Sequence, residues 1–158
     1  MIAIKMMTRP GEHDLPALAS LLDQLGYAVD SPELTKRLDA VVGAADHCVF
    51  VAEADGHAVG LLHAFARPSL EKGMEAVVQS LVVDRAARGQ GVGQALMQAA
   101  EQWATSRGLG SVALYTRTDR EQARAFYERI GYRLRATSHL MVRDVTGRAT
   151  QPRAPAAD

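Results

Sequence analysis

The chain opens on "IAIKMMTR", where apolar and polar positions alternate closely enough to predict a first strand. The period then changes. Leu15, Leu18, Leu22 and Leu25 recur at steps of three and four, one face of a helix, with Asp14 placed to cap its first turn. Ser31-Pro32 opens a second helix with Leu34, Leu38, Val41 and Val42 on its apolar side, the proline standing where its missing N–H is not needed. "HCVFVAEA" and "HAVGLLHAFAR" flank Asp55-Gly56, the dipeptide that most strongly marks a two-residue hairpin. A third apolar run, "MEAVVQSLVV", lies between Gly73 and Asp84 and is too short for an ordinary helix, so a strand is predicted from Met74 to Val83. Val92, Ala95, Leu96, Ala99, Ala100 and Trp103 predict an amphipathic helix ending near Gly108, and "SVALYTR" a further strand. Ala123, Phe126, Tyr127 and Ile130 line one side of a last helix closed by Gly131, and "YRLRATSHLMVRD" reads as a final hairpin. The order β, α, α, three strands, α, β, α, hairpin makes an α/β domain whose sheet must be mixed.

Composition narrows this picture. At 158 residues, with 47% hydrophobic and 23% charged positions, the chain has the material for one globular domain, expected over residues 1–145. The stretch 146–158, "TGRATQPRAPAAD", has almost nothing apolar to bury and is expected to be disordered. No apolar run approaches the roughly 20 residues that cross a bilayer. The start lacks the order of a secretory signal, so no membrane association and a cytoplasmic location are the expectations. Cys48 is the single cysteine, excludes an internal disulfide, and reads as a buried strand thiol rather than a nucleophile. No His, Cys or carboxylate cluster has metal-ligand spacing, so no metal is expected. Net charge is zero, but residues 1–84 carry six Lys and Arg against twelve acids, and residues 85–148 eleven Arg against five. That asymmetry suggests an anionic ligand near the second half and a cationic one near the first. Zero net charge and few aromatics give nucleic-acid binding little support.

The strongest chemical signal is "VVDRAARGQGVGQALM", with Gly89, Gly91 and Gly93 at alternate positions where a strand gives way to a helix. A tight turn needs one or two glycines. A third removes another Cβ that would hold a ligand away, and the first N–H groups of a helix have no internal partner, so an anion can take them with help from the helix dipole. A phosphate or pyrophosphate is the expected guest. A P-loop would need Lys and then Ser or Thr after its last glycine, but Gln94 and Ala95 follow Gly93; a dinucleotide fingerprint would need a glycine where Leu96 stands.

"LVVDRAARGQGVGQALMQAAEQWATSRG" resembles the acetyl-CoA-binding segment of the GNAT superfamily of N-acetyltransferases, with Arg88, Gly91 and Gly93 on its signature positions, and "ARAFYERIGYR" resembles the family's second block. The likeness covers roughly residues 2 to 144. It implies a GNAT-like mixed, mostly antiparallel sheet of six to seven strands flanked by about four helices. It implies that Leu81, Val82 and Val83 meet the amide-bearing arm of CoA while Arg88, Gly89, Gln90, Gly91, Val92, Gly93 and Gln94 hold its pyrophosphate. A neutral amine would attack the acetyl-CoA thioester directly, with the Val83 N–H polarising the carbonyl and Tyr127 protonating the departing thiolate. By its place on an amphipathic face beside Phe126 alone, Tyr127 reads as packing; the resemblance favours catalysis. For the base, relatives place Glu where Gln79 stands; Glu75, of the same strand parity, is the candidate here, against an exposed strand-end charge, with His63 and His139 behind it. Relatives also carry Asn at the position of Arg120. Arg120 or Arg124 could meet a CoA phosphate, and Asp119 could cap the last helix. The resemblance admits a homodimer. The acceptor reads as a primary amine on a small molecule or a protein, its cationic character suggested by the acidic first half; a non-catalytic acyl-CoA-binding module of the same fold is the other reading.

Overall fold

The computed structural model describes residues 1–11 and 13–147. Five strands pair side by side in chain order: β1 (Ile2–Met6), β2 (His47–Ala54), β3 (His57–Arg67), β4 (Glu75–Val83) and β5 (Val112–Leu114). The first four are antiparallel, and β5 runs parallel to β4. Two helices, α1 (Leu15–Leu25) and α2 (Ser31–Val41), precede β2, and α3 (Val92–Ser106) links β4 to β5.

Local chemistry explains the joints. The Asp14 carboxylate accepts the Ala17 N–H at the start of α1. At α2 the cap is Asp30, one residue earlier than the predicted Ser31: its carboxylate accepts the Glu33 N–H at 2.8 Å, leaving Pro32 in the first turn, where no N–H is required. Asp55 (φ 50°) and Gly56 (φ 80°) both take positive φ, the conformation a tight hairpin of this twist demands.

Val49, Val51, Leu61 and Val82 turn one face of the sheet toward Leu18, Leu21, Leu34 and Leu38, forming a dry core in which each fully buried leucine contributes about 1.5–3 kcal/mol. On the opposite face α3 comes so close to β3 that a methyl on Gly60 would lie 2.9 Å from Leu96 and 3.1 Å from Val92. Cys48 is buried, as expected, and burial pushes its thiol up to about 12.

These elements, Met1 to Tyr115, form one compact unit; the described residues from Thr116 to Gly147 belong to a second, built on α4 (Glu121–Arg129). After α4 the Tyr132 N–H donates to the Tyr127 carbonyl at 2.9 Å and Gly131 takes φ 103°, the glycine-terminated helix end the sequence predicts. Asp119 does not cap α4. It binds Arg117 through both carboxylate oxygens (2.9 and 2.7 Å), and Arg120 stands at the cap position. The mixed sheet thus has five strands among the described residues rather than six or seven. No strand is formed from 132 to 147, where Leu140, Met141 and Val145 are exposed. Alternation makes a segment eligible for a strand, but a neighbouring backbone must supply the hydrogen bonds. Residues 148–158, most of the tail expected to be disordered, lie outside the described residues.

Candidate active site

The loop after β4 is held from three sides. Asp84 donates its N–H to the Val59 carbonyl (2.8 Å) and accepts the Ala86 N–H (2.8 Å), capping a single 3₁₀ turn, Arg85–Ala87. Gln24 of α1 grips the same turn at two points, donating to the Asp84 carboxylate (3.3 Å) and accepting the Arg85 N–H (3.0 Å). The Arg88 Nε donates to the Val83 carbonyl at 3.1 Å, folding the loop back on the strand end. Gln24 and Asp84 carry no motif that flags them in sequence; only Asp84's position ahead of a short turn hints at its cap.

Gly89 (φ 75°) and Gly91 (φ 80°) adopt backbone that side chains other than glycine enter at a cost of about 1–2 kcal/mol. A methyl built on either meets nothing within 4 Å, so conformation rather than crowding selects glycine, and the space over the loop is open. Gly91 is the N-cap of α3 and offers no side-chain cap. Ala95 is the first residue whose N–H finds a carbonyl across that boundary, that of Gly91 at 3.0 Å. The N–H groups of Val92, Gly93 and Gln94 therefore precede the helical ladder and point out of its positive end.

The sheet opens beside this loop. β5 pairs with Ala76, Val77 and Val78 only, while β4 continues to Val83. Antiparallel pairing alternates between residues that exchange hydrogen bonds and residues that do not. The Asp84 N–H to Val59 bond fixes the phase, so Val82 directs its main chain at Leu61, whereas Leu81 and Val83 direct theirs away from β3, to the side that β5 has left. Leu81 thus presents its peptide groups to the gap and Val83 its N–H, the Val83 carbonyl being taken by Arg88, and Val82 instead buries its side chain in the core.

Glu75 stands eight residues from Val83, roughly 26 Å along the strand. It is 3% exposed, so the expectation of an exposed strand-end charge fails. Its oxygens accept from Arg67 (2.7 Å) and Ser111 (3.1 Å), and Arg67 also donates to the Tyr115 hydroxyl (3.0 Å). Gln79 sits exposed where the β3–β4 register slips by one residue beside His63. His139 lies on the exposed chain after α4.

In the second unit, Arg120 stands at the cap of α4, and the helix carries Arg124 and Tyr127. The Tyr127 ring meets Phe126 and Tyr132 edge-on, with centroids 5.1 and 6.0 Å away. Burial pushes its hydroxyl up to about 12 against the opposing charge of Arg120, so it stays protonated across the neutral range. Arg124 is paired with Glu128 at 2.8 Å. Among the described residues no group of His, Cys, Asp and Glu is placed to hold a metal ion, and no helix is long and apolar enough to cross a membrane.

Residues 15–132, spanning α1 through the end of α4, match the Acetyltransferase (GNAT) family. The chain belongs to that family. This GNAT chain is 29% identical over 135 residues, 84% of its length and 92% of the relative's, to the uncharacterized N-acetyltransferase YhdJ of Bacillus subtilis. Its fold is similar to that of AAC(6')-Iy in complex with the bisubstrate analog CoA-S-monomethyl-acetylneamine, with TM-score 0.80 and 20% identity over 91% of this chain and 99% of that one. It is also similar to glucosamine-6-phosphate N-acetyltransferase from Arabidopsis thaliana, with TM-score 0.74 and 19% identity over 91% and 99%.

Proposed function

We propose that this GNAT protein transfers the acetyl group of acetyl-CoA to a primary amine of a small molecule. One observation carries the reading: the first turn of α3 aims unbonded N–H groups over an open glycine loop, next to a β4 end whose Leu81 peptide groups and Val83 N–H face a gap in the sheet. A diphosphate fits the helix end by charge and by hydrogen bonding. An amide-bearing arm fits the gap as an added strand would. Arg88, Gly89, Gln90 and Gly91 shape the loop, Val92, Gly93 and Gln94 supply donors, and Arg120 and Arg124 are further cations for the carrier's phosphates.

Anchored in this way, the thioester carbonyl is polarised by the Val83 N–H, where negative oxygen develops as the amine attacks. Tyr127, protonated at neutral pH, donates to the departing thiolate. Glu75, held by Arg67 and Ser111, ties β3 to β4, which suits a clamp better than a proton acceptor. Cationic acceptors, the class named with the AAC(6') structures among them, agree with the acidic first half of the chain.

Acetyl-CoA should raise Tm in a saturable manner, and no rise at millimolar ligand rejects the reading. Tyr127→Phe should lower kcat by about 10²–10⁴ while leaving that rise in place. A binding module would have no turnover for the substitution to remove.

A further inference from the structure

The reaction must remove a proton from the attacking nitrogen, and β2 and β3 carry an unassigned pair of imidazoles on the same sheet face. His47 Nδ1 lies 3.0 Å from His63 Nε2, the rings stack with centroids 5.2 Å apart, and Phe65 covers them from the end of β3. Asp46 Oδ1 is 3.9 Å from His47 Nε2, completing a carboxylate–imidazole–imidazole line. His63 faces Ser80 across β4, at the register slip beside Gln79, and stands three residues along β3 from Gly60, the partner of Val83. Three residues are about 10 Å along β3, so the acceptor nitrogen must lie between His63 and the β4 end for the imidazole to reach it. His47 also lines an open cleft of about 400 Å³ bordered by Val41 to Ala45, a route to solvent.

We propose that His63, oriented by His47 and Asp46, takes the proton of the acceptor amine in the acetyl transfer assigned above, a reading on which this inference rests. In the arrangement that does this, His63 donates its Nε2–H to His47 Nδ1, and His47 directs its Nε2–H at Asp46. His63 Nδ1 is then left with a free lone pair. As the N–C bond forms, the nitrogen becomes acidic; its N–H bond breaks, the electron pair stays on nitrogen, and the proton bonds to His63 Nδ1. The imidazolium returns the proton to water when product leaves. His47 is a positioning residue.

Toward the far end of this face Glu53 of β2 is paired with Lys5 of β1 and bonded to His13. Arg67 and Glu75 lie paired beyond Phe65, Ser80 is neutral, and α1 meets the sheet through Leu18 and Leu21. Burial and the charge of His47 lower His63 to about 4, so its lone pair is available throughout the neutral range.

The test uses the full chain with acetyl-CoA and two amine probes, neamine and spermidine. His63→Gln should lower kcat on the order of 10²-fold with the acetyl-CoA Tm rise and the amine KM unchanged. His47→Asn removes a repelling charge, so the acidic limb of the kcat/KM profile should move to higher pH. Turnover in which neither variant alters the profile overturns the relay alone. A wild type whose Tm ignores acetyl-CoA instead marks failure of the underlying reading. If acetyl-CoA binds but neither amine reacts, ¹⁵N-edited spectra decide: His63 protonated at Nε2 and bare at Nδ1 supports the assignment, and the reverse tautomer overturns it.

Discussion

The two ends of β4 have opposite characters although one strand joins them. At Glu75 every polar group visible in the arrangement is met by another: a buried carboxylate takes Arg67 and Ser111, and the Arg67 guanidinium reaches on to Tyr115. At Val83 the chain leaves an N–H facing a gap, a glycine loop with open space around Gly89 and Gly91, and a helix end outside its own ladder. Charge alone would have marked Glu75 as the chemical end. The state of the hydrogen bonds supports the proposal for the other, because a saturated buried pair holds structure together whereas oriented donors without protein partners are open to a ligand.

Substitutions should separate the ends. Gly91→Val forces a β-branched residue into φ 80° on the open loop. It should weaken acetyl-CoA binding by about 100-fold or more by calorimetry, with a stability loss of about 1–3 kcal/mol in urea unfolding. Glu75→Ala should do the reverse. Removing one member of a fully buried pair costs about 3–5 kcal/mol; Arg67 is partly exposed, so about 2–3 kcal/mol is expected, with acetyl-CoA affinity unchanged once the protein is folded. An affinity loss at Glu75→Ala matching that at Gly91→Val would erase the distinction.

Between the ends, His63 supplies a pH-dependent comparison. Its folded value of about 4 lies below the ordinary 6.5, so the unfolded chain binds more protons between those values. Stability is complete above about 6.5 and should fall as pH drops toward 4, and His63→Asn should flatten that part of the urea-midpoint curve. Smallest of all, Arg88→Ala removes one exposed bond to the Val83 carbonyl and should reduce acetyl-CoA affinity only a few-fold, about 0.5–1.5 kcal/mol.

The open end of β4 was far more legible in the sequence than the closed one. Gly89 and Gly91 after an apolar run report a backbone requirement directly, since φ 75–80° and open space are properties of those residues themselves, whereas Gly93 lies inside α3 and is not among the glycines of positive φ. The Asp14 cap and the Asp55-Gly56 hairpin were legible for the same reason. Glu75 was not: its burial depends on Arg67 and Ser111, eight and thirty-six residues away, and no local pattern announces such a meeting. Asp119 illustrates the same limit, since its preference for Arg117 over the helix end is a competition between two good partners. After α4, alternation predicted a hairpin that needs a paired backbone, and that information is not in the segment.

Gly60 has a consequence at a distance. Because no methyl fits between β3 and α3, the missing side chain sets how low the helix rides over the sheet, and Val92 and Leu96, which rest on that spot, belong to its first turns. A bulkier residue there would act as a shim under the α3 end that carries the unbonded donors, tilting them without altering any atom of the loop. Sequences that drift at this position would therefore be expected to shrink residue 92 or 96 in concert.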